Sequence, residues 1–254
     1  MTKGRIAAAW LPALAACAAL FPAAPAAAQK PGAEAAPREP VRAPARAPSA
    51  ARTAMLDRLA GVLVLRGPLE SMAIGATGPA YRNVLDRSRD LDRMEATAPG
   101  LRDAMVAAAS AHARDAAPRL VAELAEEVRA YWDPRLSDED LAALVAYLDQ
   151  PFFTRYARMN VDVRPGEDIM QAYRRNAAAL ERSQPDTKEA QRRRLAFEQS
   201  PAGRRLLPHF RAYQRAIGQR QIRATNLLAG EAMRAAQAAA EAHIARAAQI
   251  RNSI

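Results

Sequence analysis

The side chains able to do chemistry in this chain are few and scattered. His112, His209 and His243 stand far apart in sequence. None has a second histidine at the three- or four-residue spacing with which one helix face holds a metal. Cys17 is the only cysteine and lies in the leader described below, so the rest of the chain has no thiol nucleophile and no disulfide. There is no Gly-x-Ser-x-Gly elbow and no Ser-x-x-Lys pair, and Gly75-Ala-Thr-Gly78 is too short for a phosphate-cradling loop. Asp138 and Glu139 are adjacent carboxylates, but their place in the first turn of a helix explains them through the helix dipole. The run Asp86-Arg-Ser-Arg-Asp-Leu-Asp-Arg93 sets an arginine beside each acid and lacks the central glycine of a calcium loop, so it reads as a solvated helix face. The expectation is a non-enzymatic protein with no catalytic residue, no metal and no cofactor.

What remains is charge. The chain carries a net charge of +10. Between Lys188 and Arg223 ten bases face two acids, Glu189 and Glu198, whereas from Asp57 to Glu181 the arginines are interleaved with acids. In the same segment Leu206, Phe210, Tyr213, Ile217, Ala224 and Leu228 share one helical face while arginines take the others, the layout of a basic amphipathic helix. Arg204, Arg205, Arg211 and Arg215 are the candidate residues for binding an anionic partner. Two partners fit, an anionic membrane surface or an acidic envelope protein; nucleic acid suits the charge but not the export signal. The competing reading makes the apolar stripe a core face with a solvated basic back. The protein would then be a structural or chaperone-like periplasmic module that works through apolar grooves between helices.

The elements that must carry this charge follow a leader. In residues 1–28, Lys3 and Arg5 precede an apolar run from Ile6 to Phe21, and Ala26-Ala27-Ala28 offers a cleavage site before Gln29. This signal peptide predicts a periplasmic or secreted protein. Leu14-Ala-Ala-Cys17 gives the alternative, a lipoprotein anchored through Cys17. Residues 29–51 read as a linker, with prolines among alanines and arginines and no apolar period. Residues 52–254 read as one domain built from strong helix formers.

Within that domain the spacing predicts helices over Thr53–Leu65, Pro68–Gly75, Pro79–Met94, Leu101–Ala116 and Pro118–Trp132. Ser137 with an acid three residues on predicts a capping box for the helix that ends before Pro151. A further helix runs from Ile169 to Arg182. The stretch Phe197-Glu-Gln-Ser200-Pro201-Ala-Gly203 predicts a tight corner. Ser200 must leave helical torsions before proline, Pro201 suits the first turn of the next helix, and Ser200 can accept from the Gly203 N–H. Tyr147-Leu-Asp-Gln150-Pro151-Phe-Phe153 repeats that outline, Tyr147 matching Phe197 and Pro151 matching Pro201. Pro208 is expected to kink the last helix or to mark its start. The fold class is all-α, a multi-helix bundle with a repeated helix-corner-helix unit after a signal peptide and a Pro/Ala linker.

Ser137-Asp-Glu-Asp-Leu141, Tyr147-Leu-Asp-Gln-Pro151 and Phe197-Glu-Gln-Ser-Pro-Ala-Gly203 together resemble an exported all-helical proteobacterial domain of unknown function, marked by an aromatic-x-x-Ser-Pro-x-Gly corner. Gln150 stands where that pattern has serine and Phe153 where it has glycine. The resemblance implies a helical fold and an envelope location, and no activity.

Overall fold

Helix α1 (Ala50–Leu63) opens at Ser49, whose hydroxyl accepts from the N–H of Arg52. The computed structural model describes residues 49–253, and the leader, both readings of its processing and the linker up to residue 48 lie outside the described residues. Ala50 and Ala51, expected in the linker, already belong to α1. Leu65, the one non-glycine residue with positive φ among the described residues, turns the chain into α2 (Arg66–Thr77). A left-handed leucine costs on the order of 1 kcal/mol, and burial of its side chain offsets that strain.

The single helix expected over 79–94 is two, α3 (Pro79–Leu85) and α4 (Arg89–Thr97). Ser88 caps α4 by accepting from Leu91. The guanidinium of Arg102 holds the break open by donating to the Leu85 and Ser88 carbonyls at 3.3 Å. Conversely, the two helices expected over 101–132 are one, α5 (Leu101–Trp132), which runs through Pro118. An interior proline forfeits one backbone hydrogen bond, here to the carbonyl of exposed Arg114, while Ala113 and Ala117 on either side are sealed in the core. A 3₁₀ turn (Asp133–Arg135) leads to α6 (Asp138–Leu148), α7 (Pro151–Ala157), α8 (Ile169–Ser183), α9 (Lys188–Gln199) and α10 (Pro201–Asn252).

Helices α5 and α10 lie antiparallel and form the spine. His243 Nε2 meets the Pro99 carbonyl at 2.8 Å near one end, His112 meets Glu231 at 3.4 Å further in, and Arg220 meets Glu127 at 3.0 Å beyond that. At the other end Trp132 packs on Phe210 and Tyr213. The seam between the helices is small: Ala109, Ala113, Ala232 and Ala236 are fully buried. The main core joins α1, α6 and one end of this spine through Leu59, Leu63, Leu124, Val128, Leu144 and Phe210. A second core lies under the segment between α7 and α8, where Val161, Val163 and Ile169 meet Met72 of α2. That segment is held by Glu167, which the Arg175 guanidinium keeps ionised down to about pH 2.

The corners close the bundle. Ser200 is extended (φ −70°, ψ 159°) and accepts from the Gly203 N–H at 3.0 Å. A Cβ on Gly203 would stand 1.9 Å from the Phe197 carbonyl oxygen, a backbone atom that cannot step aside. At the first corner Gln150 is extended but caps nothing, its buried Oε1 has no partner among the described residues, and α7 lasts two turns. Where Gly203 lets backbones touch, Phe153 instead packs its ring on Tyr147 at 5.0 Å. The two corner aromatics meet: Tyr147 stacks on Phe197 at 4.6 Å and its hydroxyl donates to Glu198 at 3.0 Å.

The turn from α5 to α6 is tied to α1 by one buried cation. Arg52 donates to the Asp133 carboxylate at 2.6 Å, to the Asp138 carboxylate, and to the carbonyls of Asp133 and Leu136.

Two substitutions test these ties. Gly203→Ala should destabilise by about 1–3 kcal/mol in chemical denaturation, the range of an overpacked core, although alanine is the better helix former. An unchanged midpoint would show that the corner opens without loss. Arg52→Ala should cost about 2–4 kcal/mol, and Arg52→Lys should restore only part of it, because an ammonium cannot reach four acceptors in a plane. Full rescue by lysine would reduce the tie to charge alone.

Candidate functional site

From Pro201 to Gly230 helix α10 contains no acidic residue, so any carboxylate that neutralises its arginines must come from another helix. The bundle supplies two. Asp140 of α6 pairs with Arg205, and Glu127 of α5 pairs with Arg220 and raises the basicity of its guanidinium. Arg204, Arg211, Arg215 and Arg223 are exposed and have no carboxylate within 4 Å among the described residues. The four arginines expected to act together are therefore divided, with Arg205 set apart as a structural ion-pair partner.

Helical geometry explains the division. At about 100° per residue, Arg204, Arg211 and Arg215 fall within roughly 40° of one another, and Arg205 is turned about 100° away. The three span about 16 Å of helix axis at about 1.5 Å per residue. Pro208 lies on the same stripe and is exposed, so the proline sits where its missing N–H costs least. The opposite face carries Leu206, Phe210, Tyr213, Ile217, Ala224 and Leu228, all buried, and Tyr131 stacks on Tyr213 at 4.0 Å. Burial pushes the Tyr213 hydroxyl up to about 12, so that ring stays neutral against the spine. The core face and the wet basic back of the competing reading are both present, and the buried stripe leaves the arginines on the outer side.

The other bases of the stretch divide in the same way. Arg193 pairs with Glu189, and Arg194 pairs with Asp186 while lying 4.2 Å over the Phe152 ring. Lys188 and Arg192, one turn apart on α9, are exposed and have no carboxylate within reach among the described residues. Arg211 is close enough to bear on the corner: burial first, then Glu198, raise the Tyr147 hydroxyl, and Arg211 and Arg194 oppose that shift. The stripe thus starts at the Pro201 corner and runs along the bundle surface.

Among the described residues no group of three histidine, cysteine or acidic side chains converges. Asp115, three residues after His112, turns to Arg119, and His112 reaches Glu231 across the spine instead. Ser137 caps α6 by accepting from Asp140, but the Asp140 carboxylate goes to Arg205. Among the described residues no single helix is long and apolar enough to cross a bilayer. The bent pair formed by α1 with the stretch Arg66–Leu85 is apolar enough, and it buries Leu59, Leu63, Met72 and Tyr81 in the bundle.

Set against protein-family models, curated proteins and solved structures, the chain matches none.

A double-mutant cycle on Arg205 and Asp140 should return a coupling of about 0.5–1 kcal/mol, the size expected of a half-exposed pair. Zero coupling in thermal or chemical denaturation would return Arg205 to the set of unengaged arginines.

Proposed function

We propose that this protein is a non-enzymatic, exported envelope protein that uses the basic face of α10 to meet an anionic surface, the headgroups of a lipid leaflet. One observation carries the reading. Three exposed arginines, Arg204, Arg211 and Arg215, form a straight stripe on a helix that has no acid over thirty residues, and no carboxylate lies within salt-bridge reach of any of them among the described residues. The bundle places acids against Arg205 and Arg220 on the flanks of the same helix, so the surplus is confined to the side that faces water. The leader and the corner motif support the envelope as the place where such a surface would be met.

The mechanism is electrostatic. A rigid helix presents guanidinium groups at fixed intervals, and each can contribute about 1 kcal/mol near an anionic leaflet. Three together are worth about 3 kcal/mol, on the order of a hundredfold in affinity. No large apolar side chain stands on the stripe between Arg204 and Arg215. Contact therefore involves no insertion and is reversed by salt, since exposed charges are screened within about 10 Å at 0.1 M ionic strength.

Co-sedimentation with anionic and with neutral vesicles tests this. The protein should pellet with anionic vesicles at low salt and stay in solution with neutral ones. The variant R204Q/R211Q/R215Q should lose about two orders of magnitude in affinity, and R205Q should lose far less. Equal binding by the natural and triple-variant proteins, or binding that survives high salt, would overturn the proposal.

A further inference from the structure

A cleft of about 430 Å³ opens on a different part of the molecule, between α1, the start of α2 and α7. Its size falls in the range of small-molecule sites. Its floor is made of small residues for a local reason. Leucine 65 turns the chain in the left-handed region, and Gly67 then brings α2 against the backbone after α7: a Cβ there would stand 2.8 Å from the Met159 carbonyl oxygen. Gly61, on the last turn of α1, lines the cleft with no side chain, and a Cβ built on it meets nothing within 4 Å. Backbone contact forces the first glycine. Nothing in the packing forces the second, which leaves the space open.

The walls are charged. Arg58 stands 3.3 Å from Asp149 and Arg66 stands 3.0 Å from Glu70, both arginines being about two-thirds exposed. Such surface pairs are worth little and re-form easily. Arg158, on the third wall, is exposed and has no carboxylate within 4 Å among the described residues. Three guanidinium groups and two carboxylates thus border one concavity, and the unbalanced charge belongs to Arg158. Thr154 and Asn160 add neutral polar groups to the same wall.

We propose that this cleft is a binding site for a small organic anion bearing carboxylate or phosphate oxygens, held by Arg158 with Arg58 and Arg66 turning toward it from their surface pairs. Guanidinium groups suit such ligands because their forked donors match two oxygens at once. The site is independent of the α10 stripe, which shares no residue with it.

Calorimetry on the full chain, at constant ionic strength, with citrate and inorganic phosphate as separate probes and glycerol as a neutral control, tests the proposal. One saturable site is expected for at least one anion and none for glycerol; the two anions distinguish carboxylate from phosphate recognition. Arg158→Gln should weaken binding at least tenfold. Gly61→Leu should abolish it by filling the cleft, with a melting temperature equal to or above that of the natural protein. R204Q/R211Q/R215Q should bind as the natural protein does. Absence of saturable binding by both anions, retention in Gly61→Leu, or loss in the triple α10 variant with retention in Arg158→Gln would each overturn the site.

Discussion

Helices α5 and α10 run side by side over about nine turns across a seam of small residues, and the rest of this bundle depends on that close approach. Fully buried alanines on both sides let the backbones come near enough to exclude water, with Leu228 set against Ala113 and Ala117. At the end where larger residues appear, Trp132, Tyr131, Phe210 and Tyr213 fan outward and make room for α1 and α6. The spine also sets the exposure of α10: with its apolar stripe fixed against α5, the opposite stripe has nowhere to point but into water.

Polar ties decide how the shorter helices sit on that spine. Arg52 spends its donors on two carboxylates and two carbonyls of one turn, so the α5–α6 connection cannot move without α1. The two proline corners meet through Tyr147 and Phe197, and Glu198 closes that contact with a hydrogen bond. The two stretches alike in sequence are therefore neighbours in space. The corners are not equivalent, however: glycine at the second allows backbone contact and a 52-residue helix, while phenylalanine at the first fills the same space with a ring and its helix ends after seven residues.

The features legible in the sequence were those with local causes. Ser137, Ser200 and Pro201 announced helix starts because capping and proline geometry act within four residues. Pro118 misled because its local cost of a few kcal/mol is outweighed by helix packing between segments about a hundred residues apart, and Pro208 lies inside α10 rather than at its start. The break at 86–88 stayed hidden because the arginine that stabilises it, Arg102, comes from the next helix but one. The candidate site was half legible for the same reason. The angular position of each arginine on α10 follows from the helical period. Which of them are neutralised does not, since Asp140 lies 65 residues from Arg205 and Glu127 lies 93 from Arg220.

The chain order of the spine bears on how this protein comes to be folded. The contacts that unite α5 with α10 join residues as far as 119 positions apart, as His112 and Glu231 are, and the second partner is the last helix of the described chain. At a synthesis rate of about 5–20 residues per second, α5 waits several seconds or more with its alanine face uncovered. Such a face is only weakly apolar, so the waiting segment is less adhesive than one built from leucine or phenylalanine would be. A seam of alanine thus leaves α5 less adhesive than a seam of leucine would until α10 covers it.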